Sequence, residues 1–244
     1  MIIFIPMAGL SMRFTKEGYT LPKYMLFAGK DSLFRIAVSS FKSQFKTARF
    51  VFLYRNIFDT KTFIIAECQQ MGIKDFELIE LDKPTLGQAE TIKIGIEKLL
   101  KKGADDSMLI FNADTAKTNF IIPEFMDKTD GYLEVFEGEG EHWSFVQPKD
   151  NSENLVAKTT EKIRISNLCS NGLYYFKSMQ LFIDAYQATF NNEEHKGEHY
   201  IAPMYNALIE KGCAIHFLKQ PKTEMLFFGT PTEYIDFVKS VLLT

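Results

Sequence analysis

The stretch MIIFIPMAGLSMRFTKEGYTLPKYMLF, residues 1–27, decides the fold and the candidate site of this 244-residue chain. Its apolar run from Ile2 to Ile5 predicts a buried strand that breaks at Pro6 into a loop. Gly9 allows close approach of this loop to a ligand, because glycine has no Cβ. Consecutive amides in a turn that follows a strand and leads towards a helix form a concave anion site. The order of these features predicts a phosphate-binding loop.

Two cations accompany the loop. Arg13 provides a planar fork of donors that suits phosphate oxygens, and Lys23, directly after Pro22, provides a more compact charge. We therefore expect a triphosphate site, although a plain α/β start with solvated cations has the same spacing. The loop is not a Walker motif, since no Gly-Lys-Ser/Thr follows. It is not a dinucleotide fingerprint either, since the other two glycines are missing after Gly9.

Composition and charge narrow the class of protein. With 46% hydrophobic residues, among them 23 Phe, the chain can bury a large aromatic core. The net charge of −3 gives no support for binding nucleic acid or an anionic membrane. Three separated cysteines, with no zinc-like spacing, indicate a reduced compartment. No stretch is long and apolar enough to span a bilayer, so we expect a soluble, cytoplasmic protein. The sequence gives no oligomeric state.

Strands and helices alternate along the chain, which predicts an α/β fold with a mixed, mostly parallel, doubly wound sheet of the Rossmann-like kind. We expect one domain over residues 1–244, with 1–130 mainly nucleotide-binding and 131–244 mainly acceptor-binding. The acidic loop at 137–141 is expected to be a hairpin turn. Predicted strands are 49–54, 76–81 and 107–111, and predicted helices begin near Ser32 and cover 60–71, 89–100, 179–190 and 200–211.

Further candidate residues follow the later strands. Asp114 comes directly after a buried strand, where a carboxylate can bind Mg²⁺ or simply cap a turn. Gly87 lies in a loop that suits close approach by a planar base, although Thr85 and Gln88 also have capping-box spacing. Glu161 and Lys162 alone would be an ordinary surface pair.

Several of these motifs resemble one family. Residues 8–14 with Pro22-Lys23 are similar to the signature loop of the nucleotide-diphosphate-sugar pyrophosphorylases, with Ser11 in place of a usual glycine. The loop 86–89 and the terminal Gly229-Thr230-Pro231 also resemble that family. The resemblance implies transfer of a nucleoside monophosphate with release of pyrophosphate, Mg²⁺ on Asp114, and Arg13 and Lys23 as catalytic residues. It implies nucleotide contacts by Met7, Ala8, Gly9, Ser11, Gly87 and Gln88, and acceptor contacts by Glu161, Lys162, Asn171 and Gly172.

Within the family, the chain is most similar to the small cytidylyltransferases of capsule and surface-polysaccharide synthesis. That similarity implies CTP as nucleotide and a small acceptor such as phosphocholine or phosphoglutamine. A sugar-1-phosphate uridylyl- or thymidylyltransferase shares every motif and stays an alternative. A non-catalytic nucleotide-binding module is the alternative from another class, because Phe227 stands where the family has a second metal-binding Asp. The charged loop with His195, Glu198 and His199 is expected to close over the acceptor.

Overall fold

The protein is described here by a computed structural model, which covers residues 1–118, 120–191 and 197–243. The chain divides into two compact units, and each is made from three separate stretches. The first unit comprises Met1–Phe4, Thr85–Ile110 and Ile121–Lys222, and the second comprises Ile5–Pro84, Phe111–Phe120 and Thr223–Thr244. The predicted division into a mainly nucleotide-binding part, residues 1–130, and a mainly acceptor-binding part, residues 131–244, is a division by ligand. It stays a prediction.

The first unit contains a mixed sheet. Its strands are the first part of β1 (Ile2–Met7), most of β6 (Met108–Phe111), β8 (Gly131–Glu137), β9 (Ser144–Pro148), β10 (Val156–Glu161), β11 (Leu168–Phe176) and β12 (Ile215–Lys219). The strand order is β10-β9-β11-β6-β1, and β8 pairs with both β11 and β12. The pairs β1–β6 and β8–β12 are parallel, whereas β8, β9 and β10 make antiparallel pairs. Its helices are α4 (Gln88–Leu100), α5 (Met179–Phe190) and α6 (Met204–Glu210).

The second unit contains strands in the order β1-β4-β5, where β4 (Arg49–Tyr54) and β5 (Phe76–Glu80) pair in parallel. Two short sheets join β2 (Phe27–Ala28) to β3 (Asp31–Ser32), and β7 (Thr115–Lys117) to β13 (Met225–Phe227). Its helices are α1 (Met12–Lys16), α2 (Leu33–Ser39), α3 (Thr60–Met71) and α7 (Pro231–Leu242).

Local signals in the sequence place several of these elements correctly. The Ser32 side chain accepts a hydrogen bond from the Arg35 amide, so it caps α2 as predicted. Helix α3 ends at Gly72, whose φ of 76° belongs to the left-handed region that glycine adopts readily. Helix α5 has the predicted bounds. The predicted α/β class, with a mixed, mostly parallel sheet and flanking helices, is confirmed.

The predicted hairpin at 137–141 is wrong. Strands β8 and β9 flank this loop but do not pair with each other, because β11 pairs with both of them. The Arg164 guanidinium donates to the carbonyl oxygens of Gly138 and Gly140, at 3.0 Å and 2.7 Å. The loop is therefore fixed by a side chain that follows it in sequence, and not by a hairpin ladder.

One predicted helix start and one alternative helix cap also need correction. Helix α6 begins at Met204, four residues later than expected, with Pro203 at the preceding position. The capping box of Thr85 and Gln88 does not form, because Gly87 is the residue that precedes α4 and no side chain caps it. Instead, the Thr85 hydroxyl contacts the Thr91 hydroxyl at 2.6 Å. Within the described residues, no helix is both long enough and apolar enough to cross a membrane.

Candidate active site

The loop that follows β1 turns at Ser11. This residue has φ 51° and ψ 29°, a left-handed conformation that costs a non-glycine residue free energy. Its hydroxyl accepts a long hydrogen bond, 3.4 Å, from the Lys23 amide. The backbone conformation explains why glycine suits this position, and the hydroxyl gives serine a contact that glycine lacks.

A cleft of about 260 Å³ opens beside this loop in the second unit. It brings together four residues that the sequence predicted for one site, Ser11, Arg13, Lys23 and Asp114, although Asp114 is 91 residues from Lys23 in the chain. The complete lining is Ser11, Met12, Arg13, Phe14, Lys23, Asp114 and Gly229. Arg13 is exposed, so its guanidinium is accessible to an anion.

An ion pair stands in this cleft. The Lys23 ammonium lies 2.5 Å from Oδ2 of Asp114, and each side chain is 24% exposed. A 3₁₀ turn over Lys23–Met25, which follows Pro22, fixes the lysine backbone. The pair compensates both charges while leaving them accessible to solvent, so an incoming phosphate can contact the ammonium without first entering a dry interior.

A divalent cation fits the donors of this cleft. Asp114 uses only Oδ2 for Lys23, which leaves Oδ1 for a metal ion. In the described part of the chain, no group of three or more His, Cys, Asp or Glu side chains is arranged to hold a metal. Mg²⁺ keeps several waters and is commonly held by one or two carboxylates together with substrate phosphates, so one aspartate is sufficient.

Gly229 is a site residue that the sequence prediction did not single out. A Cβ at this position would lie 3.0 Å from Oδ2 of Asp114, which is closer than ordinary van der Waals contact. The Phe228 amide also donates to the Asp114 carbonyl oxygen at 3.1 Å. Gly229 therefore sets the space available to the aspartate. The available signal was the Gly-Thr-Pro motif at residues 229–231.

The other predicted residues of the first loop differ in accessibility. Met7 and Ala8 are buried, at 4% and 8% exposure, so both belong to the core, and their predicted nucleotide contacts stay a prediction. Gly9 is exposed, and a Cβ there would meet no atom within 4 Å. The open space at Gly9 is compatible with close approach by a ligand.

Gly87, in the first unit, lies against the backbone of His199, and its predicted contact with a nucleobase stays a prediction. Its φ is 154°, and a Cβ would lie 2.6 Å from the His199 carbonyl oxygen and 2.7 Å from its nitrogen. The His199 amide donates to the Leu86 carbonyl oxygen, and the Ala89 amide donates to the His199 carbonyl oxygen, both at 2.9 Å. Glycine is therefore required at 87 by the chain's own backbone. Gln88 follows as the first residue of α4.

His199 is an anchor for this segment. Its ring is 7% exposed, stacks on Phe190 with centroids 4.2 Å apart, and lies 2.7 Å from the Tyr186 hydroxyl. The expected loop over the acceptor is therefore tied to α5 at this residue. His195, which the sequence placed in the same loop, lies outside the described residues.

Glu161 ends strand β10, and Lys162 follows it, beside three further polar side chains. The Lys162 ammonium donates a hydrogen bond to the Tyr200 hydroxyl and lies 3.9 Å from Oε1 of Glu161. The Ser144 hydroxyl donates to Oε2 of Glu161. The Tyr200 hydroxyl donates in turn to Oε2 of Glu198. This group of five residues, the Lys162 cluster, includes two that the sequence prediction missed, Ser144 and Tyr200, and Glu198, which it placed in the loop over the acceptor.

The environment of Glu161 favours its protonated form. Burial raises the pKa of this carboxyl, and the nearby Glu198 charge adds to the rise, while the Ser144 hydrogen bond and the Lys162 charge oppose it. Burial together with the Glu161 charge also raises the pKa of Tyr174 to about 12. The carboxyl side of the cluster is therefore more desolvated than the half-exposed Lys162 ammonium.

Asn171 and Gly172 lie inside strand β11. Asn171 is 2% exposed; its amide donates to Oε2 of Glu134 at 2.9 Å and its carbonyl accepts from the Leu173 amide at 3.0 Å. Gly172 has φ 89°, at a register shift between Ser170 and Tyr174. Both residues therefore shape an irregularity in the strand, and their predicted contact with the acceptor stays a prediction.

Comparison with solved structures defines first a fold and then a family. The chain matches the inositol-1-phosphate CTP transferase from T. maritima over 98% of its length and 95% of that chain, with TM-score 0.72 and 13% identity. It matches a UDP-glucose pyrophosphorylase from Acinetobacter baumannii over 98% and 92%, with TM-score 0.69 and 15% identity. At these identities the likeness shows a shared nucleotidyltransferase fold.

A third match is far more similar in sequence. The nucleoside-diphosphate-sugar pyrophosphorylase from Vibrio cholerae RC9 is 45% identical, with TM-score 0.92 over 97% of this chain and 99% of that one. The chain therefore belongs to the nucleoside-diphosphate-sugar pyrophosphorylase family. No protein-family model and no curated protein matches it.

Proposed function

We propose that this chain transfers CMP from CTP to a small phosphorylated acceptor and releases pyrophosphate. Membership of the pyrophosphorylase family supports nucleotidyl transfer. The single observation that carries the proposal is the cleft in which Arg13, Lys23 and Asp114 come together. CTP is inferred from the similarity of the sequence to small cytidylyltransferases, and capsule or surface-polysaccharide synthesis follows from the same similarity.

Each residue of the cleft has a role in this proposal. Arg13 and the amides of residues 8–11 hold the β- and γ-phosphates that leave as pyrophosphate, since a guanidinium binds phosphate oxygens with two parallel hydrogen bonds. Lys23 stabilises the charge on the α-phosphoryl group during in-line attack by an acceptor phosphate oxygen. Asp114 positions Lys23 and would hold Mg²⁺, which would supply neutralisation of charge on the phosphate oxygens. No covalent nucleophile is required, because positioning and charge neutralisation suffice.

The Lys162 cluster supports binding of the acceptor. The half-exposed Lys162 ammonium suits a phosphate group, and Glu161 provides a carboxyl for polar or cationic groups of the acceptor. Phosphoglutamine, which carries a phosphate and an amino group, is the acceptor that we propose.

Gly87 and Gln88 are proposed to contact the nucleobase.

Pyrophosphate release tests this function. CTP, UTP, dTTP, ATP and GTP are each incubated with Mg²⁺ and one of four acceptors: phosphocholine, phosphoglutamine, glycerol phosphate or a hexose-1-phosphate. The proposal predicts release with CTP and a non-sugar acceptor. The Lys23→Met variant is the control, because its loss of turnover assigns the activity to this cleft.

A sugar-1-phosphate uridylyl- or thymidylyltransferase is the second candidate. The relative from Vibrio cholerae, at 45% identity, is named a nucleoside-diphosphate-sugar pyrophosphorylase, and this name favours a sugar acceptor. Release only with UTP or dTTP and a hexose-1-phosphate would select this candidate. Nucleotide binding without any pyrophosphate release would instead indicate a non-catalytic module.

A further inference from the structure

In the segment Glu198–Tyr200, the side chain of the central residue, His199, is buried, whereas the side chains of its two neighbours belong to the Lys162 cluster. His199 is buried against α5, and its backbone is hydrogen-bonded to the Leu86–Ala89 loop. Glu198 is exposed, Tyr200 is half-buried, and both belong to the Lys162 cluster. Because the central residue is fixed by stacking and by two backbone hydrogen bonds, its two neighbours are held in place as well.

Lys162 receives more contacts than an exposed lysine normally has. Its side chain is 49% exposed, yet its ammonium donates to the Tyr200 hydroxyl and lies 4.4 Å from the centroid of the Tyr200 ring. Its backbone has φ 55°, a left-handed conformation that lysine adopts only at a cost. Its amide is fixed by a 2.9 Å hydrogen bond to the Trp143 carbonyl oxygen. Both ends of this residue are therefore restrained.

The hydrogen bonds form a directed chain. Lys162 donates to the hydroxyl oxygen of Tyr200, and the same hydroxyl donates its proton to the Glu198 carboxylate. A carboxylate that accepts from a phenol makes the phenol oxygen a better acceptor, so the two bonds strengthen each other. Burial alone lowers the pKa of the Lys162 ammonium, but the Tyr200 hydrogen bond and the charges of Tyr200, Glu161 and Glu198 outweigh it and raise that pKa.

We propose that Tyr200 and Glu198 are positioning residues that hold the Lys162 ammonium in the orientation in which it binds the phosphate of the acceptor. This inference rests on the proposed function, because it assumes that Lys162 contacts the acceptor. A free lysine side chain loses much rotamer freedom when it binds an anion, and a lysine already restrained loses less. The restraint therefore favours acceptor binding without any contact between Tyr200 and the acceptor.

The first test measures Lys162 directly and needs no activity. The lysines are labelled by reductive ¹³C-methylation, and the pKa of each ammonium is followed by NMR in the wild type, Tyr200→Phe and Glu198→Ala. We expect both substitutions to lower the pKa of Lys162, since each removes an interaction that raises it. The exposed Lys158 on β10 serves as the internal control. An unchanged Lys162 titration overturns the proposal.

The second test separates acceptor binding from nucleotide binding. With CTP and whichever of the four acceptor phosphates releases pyrophosphate, Tyr200→Phe and Glu198→Ala should raise the acceptor KM about tenfold, as expected for one charge-assisted hydrogen bond. The KM for CTP should stay within about twofold, because the phosphate cleft is unaltered. Glu198→Gln keeps a hydrogen-bond acceptor for Tyr200 and should restore most of the affinity. The matched control is Glu153→Gln, which removes the same carboxylate charge at an exposed position away from the Lys162 cluster.

Lys162→Met distinguishes the two ways in which the inference can fail. If Lys162→Met raises the acceptor KM and Tyr200→Phe does not, the positioning role is wrong and the proposed function stands. If Lys162→Met leaves the acceptor KM unchanged, the acceptor site itself is assigned wrongly, and the positioning role is overturned with it.

Discussion

Replacing Lys23 by methionine is the sharpest test of the proposed chemistry. Methionine keeps an unbranched side chain and removes only the ammonium, which lies 2.5 Å from Asp114. If the ammonium stabilises the charge that develops in the transition state, its loss should lower kcat by about 10² to 10³, or ~3–4 kcal/mol. Lys16→Met, at the exposed end of α1, removes an equal charge outside the cleft and should leave kcat unchanged.

The effect on stability should be much smaller than the effect on turnover. Two unit charges at this separation attract by about 1.7 kcal/mol in bulk water. Desolvation and the ordering of both side chains offset part of this attraction, and measured values for exposed pairs are about 0–1 kcal/mol. Urea unfolding of Lys23→Met should therefore show a loss of about 1 kcal/mol or less. The protein stays folded in the assay.

The assay is steady-state pyrophosphate release at saturating Mg²⁺, with CTP and acceptor varied in turn. The single variants Lys23→Met and Asp114→Asn and their double variant complete a cycle, whose losses should be strongly non-additive because the two groups act as one unit. A kcat of Lys23→Met within tenfold of the wild type would refute the reasoning. A large loss of folding stability would assign Lys23 to structure instead.

The remaining predictions follow from single contacts. Gly87→Ala should destabilise the fold by about 3 kcal/mol or more. The φ of residue 87 is 154°, and the added Cβ would lie 2.6 Å from the His199 carbonyl oxygen, so a methyl group has no room. An unchanged midpoint of urea unfolding would contradict this prediction. Gly229→Ala should lower kcat about tenfold, because the new Cβ displaces the Asp114 carboxylate by a few tenths of an ångström; equal kcat values would show that Asp114 adjusts freely. Glu161→Gln should raise the free energy of unfolding at pH 7, because the raised pKa of Glu161 means that folding favours its protonated form. This gain should shrink as the pH falls through that pKa and disappear below the ordinary value of 4.5, where the wild type becomes protonated in both states; a gain that is independent of pH from 7 to 4 would exclude this explanation.

Much of the fold could be predicted because the signals for helices and strands are local. Ser32 caps α2 with its own side chain, and Gly72 ends α3 with its own backbone conformation. Local patterns failed where the determining partner was distant. The loop at 137–141 resembles a hairpin, but strand β11, which begins at residue 168, pairs with the strands on both sides of it.

The same distinction applies to the candidate site. Arg13 and Lys23 could be found by sequence reasoning because they are close to the first loop, and Asp114 because it follows a strand. Gly229 was visible only as part of the Gly-Thr-Pro motif, without its role at Asp114, and Tyr200 was not found at all. The significance of Gly229 depends on a carboxylate 3.0 Å from its missing Cβ, and that of Tyr200 on an ammonium 38 residues away.

The class of fold, most helix and strand positions, and four residues of the cleft, Ser11, Arg13, Lys23 and Asp114, could therefore be predicted from the sequence alone. These features depend on hydrophobic periodicity, backbone preference and residue type, which act over a few positions of the chain. Three contacts became known only from the folded structure: the ion pair of Lys23 with Asp114, the His199 backbone beside Gly87, and the hydrogen bond from Lys162 to Tyr200. Each of these contacts joins residues far apart in the chain, and no local preference specifies which distant partner will arrive.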